Sequence, residues 1–161
     1  MKINIGSFFL TSGKVFVCDP CYDISIATRY ELNNVKKGKW SFSIIKTDVI
    51  EAIRILHTEN YFEHTDFQYI FSSGVDSGQL GIFDIEIYPR TEDTGDIDNK
   101  DSFYGKCCDA SLSKIGAGII DNKGVMSSSG YGDGCYNVEI AKNNNNEIVA
   151  IKVMFVEDNV Y

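Results

Sequence analysis

Trp40, Phe42 and Ile44 occupy alternate positions of KWSFSIIK, and the same alternation recurs in short runs that Gly, Asn or Asp interrupt. Successive side chains of a strand point to opposite faces, so each such run lays an apolar stripe on one side of a sheet. Many short runs of this kind favour an architecture of many short strands. With 161 residues, 43% hydrophobic and including ten Phe and nine Tyr, the chain has enough apolar material for one core and is expected to form a single β-rich domain over residues 1–161.

Turn signals order the runs. Residues 2–10, Ser12-Gly13 and residues 14–17 suggest a first hairpin; residues 30–35, the KKGK turn and residues 39–46 suggest a second. Residues 48–57 (DVIEAIRILH) admit two readings. Asp48 with Glu51 resembles a capping box, and Val49, Ala52, Ile53 and Leu56 fit helical spacing. The C-terminal CYNVEIAKNNNNEIVAIKVMF is strand, polar loop and strand, and its second half resembles VIEAIRILH following KWSFSIIKTD. Two similar hairpins suggest a degenerate repeat and favour strand for 48–57. Residues 67–72 and 80–88 suggest a further strand pair around SSGVDSGQ, closed by Pro89. Residues 91–101 form a polar loop, and 101–113 are the best helix candidate, with Phe103, Tyr104, Cys107 and Cys108 near one face. The expected fold class is mainly β, a β-sandwich or partly closed barrel with one or two short helices.

Charge narrows the partners. A formal net charge of -8 repels phosphate backbones and anionic membrane surfaces, and no apolar stretch reaches the roughly 20 residues of a spanning helix. Neither nucleic acid nor membrane is an expected partner. The N-terminal segment has too short an apolar run for a signal peptide and is expected to be a first strand, so a cytoplasmic location is expected. Five cysteines, an odd number, are then expected as reduced thiols.

Several motifs could carry chemistry. CDPC, Cys18 to Cys21, has redox or half-zinc-site spacing, but no helix opens after it and no second CxxC completes a ligand set, so buried thiols are the simpler reading. Asp93, Asp96 and Asp98 in the acidic loop offer calcium-type oxygens without an EF-hand pattern; the expectation is no cofactor, with calcium the one weak alternative. VDSGQLGIFD presents Asp76, Ser77, Gln79 and Asp84 among turn-forming glycines, and SSSGYGDGCY presents Tyr131, Asp133 and Tyr136 before a strand. Both could line one pocket, with backbone N–H groups forming a ligand nest. No triad is visible: GxSxG is missing, and only His57 and His64 could act as a base.

DPCY (Asp19 to Tyr22), the central VDSGQLGIFD, and SSGYGDGCYNV before EIVAIKVMF together resemble a family of small uncharacterised bacterial and phage proteins. Its pattern is an N-terminal DPCY, a central DSGQ or DSGxxG and a terminal GDGxYPV before a last strand. The likeness spans nearly the whole chain. Asn137 stands where that pattern has Pro, and Cys18 lies outside DPCY, which argues further against a redox pair. The resemblance implies common ancestry and no activity.

The leading expectation is therefore a non-enzymatic binding module whose loops, bearing Asp19, Tyr22, Asp76, Ser77, Gln79, Asp84, Tyr131, Asp133 and Tyr136, meet a protein or small ligand. One alternative is a small metal-dependent hydrolase using Asp19, Asp76, Asp84 and Asp133. Another is a self-assembling structural or storage-type protein, for which a homo-oligomer is the natural state.

Overall fold

The structure, a computed structural model, describes residues 1–60, 66–90 and 98–157. Alternation becomes strand almost wherever it occurs: β1 (Lys2–Leu10), β2 (Val15–Cys18), β3 (Glu31–Leu32), β4 (Gly38–Lys46), β5 (Ile50–His57), β6 (Gln68–Val75), β7 (Gln79–Asp84), β8 (Ala117–Ile120), β9 (Gly124–Ser128), β10 (Gly134–Lys142) and β11 (Ile148–Met154). They form a six-stranded antiparallel sheet, β1-β4-β5-β11-β10-β6, and a five-stranded one, β3-β2-β7-β9-β8. The fold is mainly β and sandwich-like, and neither sheet closes into a barrel.

Within residues 48–57 the strand reading holds from Ile50 onward. Ile50–His57 pairs with β4 on one side and with β11 on the other, so the helical spacing of 48–57 yields to pairing on both edges. The C-terminal hairpin also forms, as β10 paired with β11.

Three other expected hairpins do not form. β1 pairs with β4 while β2 pairs with β3 and β7, so Thr11 to Lys14 is a corner carrying the chain from one sheet to the other. β6 and β7 divide between the sheets in the same way. Residues 30–35 contribute only the two-residue β3, which pairs with β2 and not with β4. The physical reason is common to all three: a Gly-containing turn suits a corner as well as a hairpin, and partner choice is set by which faces must be buried.

Inner faces of the two sheets meet in one apolar layer, with Phe8, Trp40, Phe42, Leu80, Ile82 and Ile151 at its centre. β2 and β7 are buried on both faces. Their second face packs Phe16, Cys18 and Phe83 against Tyr88 and Cys107, under helix α2 (Phe103–Ser111). Ser102 caps α2 by accepting from the Gly105 N–H at 3.0 Å. A four-residue helix, α1 (Ile24–Ala27), follows the DPCY motif, where no helix is expected from the β-branched residues; Asp23 caps it by accepting from the Ser25 and Ile26 N–H groups. None of the helices is long and apolar enough to cross a membrane among the described residues.

Candidate functional site

The site begins where β2 ends. Asp19 follows Cys18 and is fully buried. Its Oδ2 accepts from the backbone N–H of Asp76 at 2.9 Å and of Ser77 at 2.6 Å. Its Oδ1 accepts from the Cys21 N–H at 2.8 Å and the Ser77 hydroxyl at 2.6 Å. One carboxylate therefore ties the DPCY loop to the DSG corner, and a buried charge receiving four donors is a stable arrangement. Tyr22 adds a second tie, its hydroxyl donating to Asp76 Oδ2 at 2.9 Å.

The third motif joins through the DSG corner. Gly78 N–H donates to Asp133 Oδ1 at 2.9 Å, and Ser129 N–H donates to the Gly78 carbonyl at 3.0 Å. Gly78 has φ +69°, a left-handed conformation that suits glycine, and Gly132 has φ +124°. Tyr136 folds back over its own loop: its hydroxyl donates to the Gly132 carbonyl at 2.5 Å and its ring meets Phe155 edge-on, with centroids 5.1 Å apart. Tyr131, at the tip, is 83% exposed.

The structure thus brings Asp19, Tyr22, Asp76, Ser77, Asp133 and Tyr136 into one hydrogen-bonded assembly, with Gln79 buried beneath it. Gln79 Nε2 approaches Cys108 Sγ at 3.5 Å, while its Oε1 is buried without a hydrogen-bond partner. Asp84 is not part of this group. It closes the opposite end of β7, about 17 Å away at the usual strand rise. There it accepts from the N–H groups of Thr11 at 2.7 Å, Ser12 at 3.1 Å and Glu86 at 3.0 Å. Asp93 and Asp96, like His64, lie outside the described residues, and Asp98 belongs to the polar segment before α2. Among the described residues no group of three or more His, Cys, Asp or Glu side chains is placed to hold a metal ion. His57 is buried, its ring nitrogens engaged by the Lys37 carbonyl and the Glu59 N–H.

All five cysteines are free thiols. Burial, helped by the adjacent Asp19, pushes the Cys21 thiol up to about 12, and burial raises Cys18 and Cys107 further. A thiol held protonated is a poor nucleophile and metal ligand.

Two tyrosines escaped the sequence reading. Tyr88 donates to the Tyr22 carbonyl at 2.5 Å and receives the Cys18 S–H at 3.7 Å, bracing the DPCY loop from below. Tyr104, on α2, hydrogen-bonds Ser77 and Cys108, and burial holds its phenol above the ordinary range. Their only local signal is an aromatic residue beside Pro89 and one at the start of an amphipathic helix.

A hollow of about 260 Å³ touches the loop end, lined by Tyr136 with Cys135, Asn137 and Phe155 among others. A larger one of about 310 Å³ is on the outer face of the six-stranded sheet, lined by Lys2, Ser43, Arg54 and Lys152 among others, and includes none of the loop residues. No curated protein and no solved structure matches the chain. A family model described as a protein of unknown function, DUF4241, matches residues 55–153, from within β5 to within β11. That match covers more than half of the sequence, and the chain belongs to the DUF4241 family.

Proposed function

We propose that the chain is a non-enzymatic interaction module that presents its interlocked loop end to a protein partner. The observation that carries this reading is how the carboxylates are used. Asp19 has both oxygens committed to backbone and hydroxyl donors inside the protein, so it holds loops and has no lone pair directed at a substrate. What the assembly offers outward is Tyr131, at 83% exposure, two residues from the exposed Asp133 that Gly78 N–H holds, with Asp76 exposed on the corner that carries Gly78. A large, nearly fully exposed aromatic on a braced loop is a typical interface anchor, because little conformational entropy is lost when it is buried. Carboxylates around it favour a partner surface bearing Arg or Lys.

The test compares Tyr131→Ala with Leu112→Ala, which removes a similarly exposed apolar side chain at the end of α2. Immobilised wild-type protein captures a partner, whose affinity is then measured in purified form. Tyr131→Ala is expected to weaken binding about tenfold or more, the usual effect at an interface anchor, and Leu112→Ala to leave it unchanged. Equal affinity for both variants rules the loop end out as the interface.

A further inference from the structure

We infer that the chain is two copies of one five-stranded unit fused in tandem, and that each copy supplies the aspartate that closes the other copy's Ser-Gly turn. The inference is independent of the binding reading. The first unit is β1-β2-β3-β4-β5 and the second is β6-β7-β9-β10-β11, with α2 and β8 inserted into the second. Under this matching the six-stranded order β1-β4-β5-β11-β10-β6 reads the same from either edge, and so does β3-β2-β7-β9, to which β8 is added.

Register supports the matching residue by residue. β5 and β11 pair about Arg54↔Lys152, with Ala52↔Met154 and Leu56↔Ala150 on either side, so a two-fold axis through the central pair carries Ala52 onto Ala150. β2 and β7 pair about Val17↔Ile82, and the same operation carries Gly13 onto Gly78 and Asp19 onto Asp84. The irregularities coincide too. Ile5 is the extra residue where β1 meets β4, and Ile70 is the extra residue where β6 meets β10. Glu51 and Val149 are the extra residues at the ends of the two hairpins, beside Lys46 and Lys142. Bulges are specific, inherited features of a strand pair, so four at matched positions point to descent from one unit.

Backbone and side chains repeat the pattern. Gly13 and Gly78 have φ +79° and +69°, and Asn34 and Gly130 have φ 56° and 57°. The units differ in what reaches the turn carbonyl: Gly13 accepts from Val35, just after the left-handed Asn34, whereas Gly78 accepts from Ser129, just before the left-handed Gly130, both at 3.0 Å. Trp40 Nε1 donates to the Lys36 carbonyl as the Tyr136 hydroxyl donates to that of Gly132. Above all, Asp19 accepts from Asp76 and Ser77 N–H and from the N–H two residues ahead, while Asp84 accepts from Thr11 and Ser12 N–H and likewise from the N–H two residues ahead.

Subtracting the shared features separates scaffold from specialisation. The two aspartates and the two Ser-Gly turns belong to the repeated scaffold. Tyr131 occupies the position of Val35, yet Val35 is 3% exposed and Tyr131 is 83% exposed. Tyr104 and Cys108 come from the insertion and have no twin.

Thermal unfolding of full-length Asp19→Asn and Asp84→Asn, followed by far-ultraviolet circular dichroism and by Trp40 fluorescence, tests the exchange. Each variant is expected to lower the midpoint by more than about 3 °C, with both signals moving together, because each aspartate holds a turn of the other unit. A wild-type midpoint for either variant overturns the inference, as does a separation of the two signals. Should an aspartate variant fail to fold, Asp76→Thr decides, since it installs the residue of the twin turn. It is expected to fold with a midpoint within about 3 °C of wild type, and a larger loss overturns the equivalence of the turns.

Discussion

Asp84 shows what a carboxylate does when its donors are backbone N–H groups from two segments. Burial alone would raise its pKa, but the N–H groups of Glu86, Thr11 and Ser12 outweigh that and hold it below the ordinary 3.8. A depressed native pKa makes a contribution to stability that is present above the unfolded value and lost as pH falls through the native one. Stability measured by urea unfolding should therefore decline below about pH 4, and Asp84→Asn should flatten that limb. At pH 7 the same variant should cost about 1–3 kcal/mol, because an amide presents one acceptor oxygen and turns a second donor toward buried donors. The thiols give a separate prediction at this scale. Cys135 is exposed, whereas Cys18, Cys107 and Cys108 are buried and Cys21 is half-buried with its thiol held up to about 12. A chromogenic disulfide reagent at pH 7.5 should titrate one thiol quickly in the native protein and all five only after denaturation. Rapid reaction of Cys21 in a Cys135→Ser variant would contradict the assigned environment.

Helix α2 sets a propensity against a contact. Gly105 lies inside it, where replacing glycine by alanine ordinarily gains up to about 1 kcal/mol. A Cβ there would sit 1.9 Å from the Asn99 carbonyl oxygen and 2.7 Å from its carbon, and a backbone carbonyl fixed at the helix entrance does not yield as a flexible side chain does. Overpacking wins: Gly105→Ala should destabilise by about 1–3 kcal/mol by chemical denaturation, and a stabilised variant would show that the entrance relaxes freely. Legibility differed among elements for similar reasons. The stripe of Trp40, Phe42 and Ile44 and the likeness of the two hairpins identified β4, β5, β10 and β11, because period and strand face are local properties. Partnering was not local. Ser12-Gly13 and Ser77-Gly78 read as hairpin turns and are corners, since what distinguishes the two is the aspartate arriving from the other half of the chain. In the candidate site, Asp19, Tyr22, Asp76 and Asp133 were legible as motif residues, while Asp84 was grouped with them because one Gly-rich window spans both ends of β7. Tyr88 and Tyr104 were missed because their contacts depend on how the inserted segment packs.

At the scale of the molecule, the two units are joined through β5 and β11 in one sheet and β2 and β7 in the other. These are interior strands: β5 and β11 have a partner on each side, and β2 and β7 are also buried on both faces. If the units were independent modules resting against each other, their junction would open more easily than their interiors. Here the junction strands are interior to both sheets, and the crossed aspartates tie each corner to the opposite unit, so separation of the units requires breaking the core itself. Native-state hydrogen exchange should accordingly find the slowest amides in β5, β11, β2 and β7, opening only with global unfolding. The fastest strand amides should be in β1, β6, β3 and β8, the four strands that form sheet edges. Junction amides that exchange through a lower-energy opening than those of β4 and β10 would mean that the halves separate before they unfold, and that the aspartates decorate the corners without locking them.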